Sequence, residues 1–213
     1  MKKTILIFLL ITNCSIFEDP IQAYYNFENN DFNKLLSLEL NNVIKYENQF
    51  GEEIIYEVSQ VSDEFKNQRS KGNWVTSTVN KLFFFDEKNI ELKSSSENCC
   101  IEYRFFRYPI DNEQAEENEY KKYPSEFYGS VYLYFWNGIG DYGKIDINYQ
   151  NEKVNMLING VNYENVIVIK SNSDTPRIIS SSTDRNVNIV YYDIIKGIVG
   201  FDDLDNKQWR IIN

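Results

Sequence analysis

Histidine is absent from this chain of 213 residues, and that decides which chemistry its other side chains can perform. Neither a Ser-His-Asp nor a Cys-His nucleophile can be assembled, and no His-ligated zinc site can form. Ser-x-x-Lys does not occur, which removes the motif form of the Ser-Lys hydrolases. Carboxylates remain, 32 Asp and Glu against 22 Lys and Arg. Two acids flanking a sugar bond hydrolyse it without histidine, so a carboxylate-dependent hydrolase is the enzymatic alternative. No pair of acids stands out by its spacing.

Other patterns resolve into turns and surface loops. Gly138-Ile139-Gly140-Asp141-Tyr142-Gly143 matches G-x-G-x-x-G and follows a strand. A dinucleotide fingerprint must open a helix whose amides hold the pyrophosphate, whereas the residues after Gly143 alternate with period two. Lys170 ends a Val-Ile-Val-Ile-Lys run, but a kinase also needs H-R-D and D-F-G, and neither occurs. The loop is therefore expected to be a hairpin turn that binds no nucleotide. Asp202-Asp203-Leu204-Asp205-Asn206 lacks the EF-hand register and reads as a polar turn. The acidic stretch Asp111–Glu119 reads as a solvated loop, with weak cation binding as the alternative. Cys99 and Cys100 are adjacent, so they do not form a framework of spaced disulfides. Buried thiols, a vicinal disulfide and a reactive thiol all remain open. No cofactor and no metal is expected.

Aromatic residues are the strongest remaining candidates for a site. Sixteen Tyr, fourteen Phe and three Trp exceed what a small core needs. Val131, Leu133 and Phe135 alternate with Tyr132, Tyr134 and Trp136, so that strand is either central or lines a cavity. Tyr132, Tyr134, Trp136 and Tyr103 are the candidate ligand-facing aromatics, for an apolar ligand or a stacked sugar. Core and cross-strand packing is the competing use.

The elements that would position these residues read as strands. Phe127–Lys170 holds four in succession. Asn159-Gly160 between apolar runs is a type I′ hairpin signal, placing Ile158 opposite Val161 and Met156 opposite Tyr163. Ile145, Ile147 and Tyr149 alternate with polar neighbours. Val43–Glu47 and Glu52–Val61 form a hairpin around Asn48–Gly51. Ser62–Asn73 is polar and reads as a loop, with a continued exposed strand as the alternative. Trp74–Phe85 and Asn89–Ser94 read as strands separated by Asp86-Glu87-Lys88, and Cys99–Tyr108 follows. Asn172–Arg185 is a polar loop. Asn186–Asp193, Ile198–Phe201 and Gln208–Ile212 end the chain as short strands. Asp31 is placed to cap a short helix carrying Phe32, Leu35 and Leu36, although alternation at Leu36, Leu38 and Leu40 competes. The fold class is all-β and mainly antiparallel: one meandering, strongly curved sheet as a barrel, half-barrel or roll, with at most one or two short helices.

The amino terminus carries an address. Lys2 and Lys3 precede Thr4 and the apolar run Ile5–Ile11, the n- and h-regions of a secretory signal. The run is far shorter than the roughly 18–20 residues of a membrane span. Ile11-Thr12-Asn13-Cys14 resembles a bacterial lipobox, with Asn13 where a small residue is usual. Cleavage there makes residues 1–13 a signal peptide, 14–30 a lipidated tether ordered from about Tyr24, and 31–213 a single β-domain. The competing site lies after Ala23 and yields a plainly secreted protein. Removing residues 1–13 moves the formal charge from −10 to −12. That excludes nucleic acid, which needs basic patches, and leaves acylated Cys14 as the means of membrane attachment.

Ile158, Asn159, Gly160, Tyr163, Asn165 and Val166, followed by Tyr191, Tyr192, Gly197, Ile198, Gly200 and Phe201, form a recognisable cadence. Together with the signal, it resembles the C-terminal part of small exported bacterial lipoproteins of unknown function. The resemblance implies a lipid-anchored, non-enzymatic envelope protein with a structural role or an unknown protein or apolar partner. The enzymatic alternative is a hydrolase of envelope or extracellular glycans.

Overall fold

The computed structural model describes residues 22–69, 81–94, 100–111, 113, 115, 120–137, 143–171, 173 and 186–212. The strands are β1 (Tyr24–Tyr25), β2 (Val43–Glu47), β3 (Glu53–Arg69), β4 (Lys81–Ser94), β5 (Cys100–Pro109) and β6 (Ser125–Leu133). They continue with β7 (Lys144–Asp146), β8 (Val154–Ile158), β9 (Val161–Lys170), β10 (Val187–Asp193), β11 (Gly197–Asp203) and β12 (Gln208–Ile212). A short helix, α1 (Asn29–Phe32), lies between β1 and β2, and Glu113 and Ala115 are also helical, after β5. All strands join one sheet in the order β7-β6-β5-β4-β3-β2-β12-β11-β10-β9-β8, with β1 parallel against β4. Every other strand pair is antiparallel. The sheet is a strongly curled half-barrel. Its halves meet where the turn after β6 reaches β10: Phe135 C=O accepts from Val187 N–H at 2.9 Å, and Asn137 N–H donates to Val187 C=O at 2.8 Å.

Period-two alternation decides what the curl encloses. On β5, Ile101, Tyr103 and Phe105 point inward and are fully buried, while Glu102, Arg104, Phe106 and Tyr108 point outward. Among the described residues, Tyr46, Tyr56, Tyr103, Tyr192, Phe105, Phe135 and Phe201 fill the interior together with aliphatic side chains. A bulge between β10 and β11 skips Val199, next to Ile198, which the register sets opposite Tyr192. Two buried phenols bond the Ile198 peptide groups: Tyr46 OH donates to Ile198 C=O at 2.8 Å, and Ile198 N–H donates to Tyr103 OH at 3.2 Å. The hairpin of β8 and β9 folds over the outer face. Its Ile158, Tyr163 and Val166 cover Val199 of β11, and Asn159 Nδ2 donates to Ile211 C=O of β12 at 2.8 Å. The turn itself has φ of 49° at Asn159 and 82° at Gly160, as a type I′ turn requires.

Several boundaries depart from the sequence reading. β3 continues through the polar stretch to Arg69, so the exposed-strand alternative holds there. Asp86, Glu87 and Lys88 make no turn, because they pair with Phe65, Glu64 and Asp63 inside one long strand. Cross-strand charge stabilises that polar arm: Lys88 Nζ lies 3.7 Å from Asp63, and Lys66 bridges Glu64 and Glu87. β6 ends at Leu133, so the expected alternation stops before Tyr134, and Trp136 folds inward instead of facing Tyr132's side. Glu28, not Asp31, is the N-cap of α1; Asp31 answers it from the third position by accepting from Glu28 N–H at 2.8 Å. Asp31 also holds buried Arg107 of β5 at 2.8 Å, tying α1 to the sheet. The expected tether enters the fold early. Ala23 is buried, and its C=O accepts from Phe84 N–H at 2.9 Å.

Candidate functional site

The structure does not gather the four aromatics singled out from sequence. Tyr103 is a core residue at 0% exposure, and Trp136 is buried at the bridge to β10. Tyr132 lies on the outer face beneath the Arg104 guanidinium, 4.7 Å from its ring centroid. Tyr134 stands in the turn after β6, exposed to solvent.

A different aromatic set converges on the outer face of β4–β7. The register places Glu87 of β4 beside Phe106 of β5, and Phe106 beside Tyr128 of β6. One step along, Asn89, Arg104, Ser130 and Asp146 form the next row across β4 to β7. Phe106 and Tyr128 stack with centroids 5.5 Å apart and planes at 17°. Tyr108 meets Phe85 edge-on at 5.0 Å, continuing the platform toward β4. These rings, with Ser130, Lys144 and Asp146, line a groove of about 610 Å³. That lies within the range of about 300–1,000 Å³ typical of small-molecule sites. Tyr128 is fixed from below: burial and a hydrogen bond to Glu126 push its phenol up to about 12, so it stays a neutral ring.

Polar groups at this groove are of two kinds. Lys144 Nζ pairs with Asp146 at 2.8 Å, and Asn89 Nδ2 donates to Glu87 at 2.8 Å, with Lys66 3.8 Å away on the β3 side. Ser130 differs. It is 2% exposed, and its Oγ has no hydrogen-bond partner in the protein.

A second groove of about 630 Å³ opens at the mouth of the half-barrel, between α1 and the projecting β3–β4 arm. Phe65 stacks on Phe84 at 4.7 Å and meets Tyr24 edge-on at 5.2 Å. Four acids line it, and all are engaged: Asp86 by Tyr24 OH and by Phe27 N–H at 2.9 Å, Glu64 and Glu87 by Lys66, and Asp63 by Lys88 at 3.7 Å. Burial, then Asp86, pushes the Tyr24 phenol up to about 12.

The remaining sequence candidates fall as follows. Asp203 accepts from Lys207 N–H and Trp209 Nε1, while Asp202 holds Arg210 and Tyr191 OH, so this turn spends its oxygens internally. Among the described residues no group of three or more acids and cysteines is placed to hold a metal ion. Burial and the nearby Glu91 and Glu102 push the half-buried Cys100 thiol up, away from thiolate chemistry. Cys99, Cys14, the signal, most of the acidic loop and Gly138–Tyr142 lie outside the described residues. Gly143 is described: φ is 83°, and a Cβ there would sit 2.3 Å from Leu133 C=O. Among the described residues no helix is long and apolar enough to cross a membrane.

The groove's rings, Phe85, Phe106, Tyr108 and Tyr128, are not the four candidate aromatics read from the sequence. The platform exists only through cross-strand register, which no local pattern encodes. Comparison with known protein families, curated proteins and solved structures finds no match.

Proposed function

We propose that this is a lipid-anchored protein of the bacterial envelope, attached through acylated Cys14, that acts by binding at its surface rather than by catalysis. The observation that carries the binding half is the separation of acids at the aromatic groove. Glycoside hydrolysis needs carboxyl groups about 5–5.5 Å or 6.5–9.5 Å apart. Glu87 and Asp146 sit on β4 and β7, three strand spacings apart, which is about 14 Å between backbones. Glu87 is drawn toward β3 by Asn89 and Lys66, and Asp146 is held along its own strand by Lys144. The second groove does bring acids together, with Glu64 opposite Glu87, but Lys66 neutralises that pair and Lys88, Tyr24 and Phe27 engage Asp63 and Asp86.

The address rests on the lipobox-like run and on how the fold uses Ala23. A chain cut after Ala23 would lose the carbonyl that pairs with Phe84 N–H and would place a charged amine beside buried Tyr25. Cleavage before Cys14 avoids both, and the ten residues from Cys14 to Ala23 span about 35 Å at most. The test is Cys14→Ser. Wild-type protein is expected in the detergent phase, because two or three acyl chains at about 0.8 kcal/mol per CH₂ hold stably. The variant is expected in the soluble fraction with unchanged thermal unfolding. Soluble wild-type protein with its amino terminus at Tyr24 would refute the anchor.

A further inference from the structure

We infer that the outer-face groove on β4–β7 is a glycan-binding site that takes a neutral oligosaccharide; this rests on reading the protein as a binder. The C–H face of a pyranose is apolar and packs on aromatic ring faces, while its rim of hydroxyls needs donors and acceptors in the same plane. The groove presents that combination. Phe106 and Tyr128 stand as a near-parallel stacked pair, with half-buried Lys144 and exposed Asp146 at one edge. On the pair's β4 side stands Glu87.

Ser130 supplies an independent observation. The residue lines the groove, its nearly fully buried Oγ has no protein partner, and such an orphaned group is unfavourable until something bonds it. A sugar hydroxyl lying over Tyr128, one register step away, can both donate to and accept from it. A fatty chain would leave that hydroxyl orphaned and would desolvate the Lys144–Asp146 edge without compensation. An anionic sugar would meet Glu87 and Asp146 on a chain of formal charge −10. Neutral glycans are what remain.

The experiment uses full-length protein in detergent on a broad array of neutral glycans, with tetragalacturonate and myristate as anionic and apolar probes. Calorimetry on the hits follows. Saturable binding to a neutral glycan is expected, weakened roughly tenfold by Tyr128→Ala and several-fold by Ser130→Ala and Asp146→Asn. Ser130→Ala removes a buried oxygen that has no partner, so it should fold at least as well as wild type. Its loss of affinity therefore cannot be read as unfolding. No neutral hit, binding unchanged by all three variants, or binding of myristate or tetragalacturonate alone would overturn the inference while leaving the anchored-binder reading intact. New reducing ends released from a bound glycan would refute the non-catalytic reading and leave the glycan site standing.

Discussion

Ile198 is where single residues decide most about this fold. Its N–H and C=O lie in the core beside a bulge, and each depends on one phenol. Tyr103→Phe strips the N–H of its acceptor while leaving the ring's volume unchanged. A buried orphaned donor costs about 1–3 kcal/mol, and urea unfolding should show a loss of that size with an unchanged m-value. Tyr149→Phe is the contrasting case. Its hydroxyl lies buried near that of Tyr192 without a well-formed bond, so its removal should cost clearly less than Tyr103→Phe. Equal losses in the two variants would show that lost packing, and not the Ile198 hydrogen bond, sets the effect.

Among the elements, the β8–β9 hairpin gives the cleanest test. A Cβ at Gly160 meets nothing within 4 Å, so any penalty for Gly160→Val is backbone strain alone. Forcing a β-branched residue to φ near 82° should cost about 1–3 kcal/mol. Thermal unfolding matching the parent would mean that the turn is not type I′ in solution. This hairpin was fully legible in the sequence, down to Met156 opposite Tyr163, because turn chemistry and alternation are both local. β2, β10, β11 and β12 were legible to within two residues for the same reason. The β3–β4 arm was not, because its strands carry charge on both faces and hold together by pairs such as Lys88 with Asp63. Nor was the end of β6, where a bridge to distant Val187 overrides an alternating pattern that continues to Trp136. The groove depended on pairings such as Phe106 with Tyr128, whose partners lie in different strands, so only its individual aromatics were visible beforehand.

The whole molecule is two antiparallel meanders, β2–β7 and β8–β12, joined edge to edge at β2 and β12. Its tyrosine-rich interior makes it sensitive to base. Burial pushes the phenols of Tyr46, Tyr103 and Tyr192 above their ordinary value. A group whose folded pKa is raised stabilises the fold below its unfolded value and loses that contribution above it. Stability should therefore be flat below about pH 10 and fall above it, as the unfolded chain ionises phenols that the folded chain cannot. Exposed phenols such as Tyr134 should ionise in the folded protein, whereas the buried ones should ionise only together with loss of circular dichroism; full phenolate absorbance in a still-folded protein would contradict the packed core. The seam between the meanders has a further consequence in time. Lys45, Tyr46 and Glu47 find their partners only at Ile212, Ile211 and Arg210. While a ribosome is still making the chain, β2 has one neighbour and an open edge, and the curl cannot shut until residue 212 has emerged. A chain of this design therefore completes its fold only when nearly the whole of it has been made.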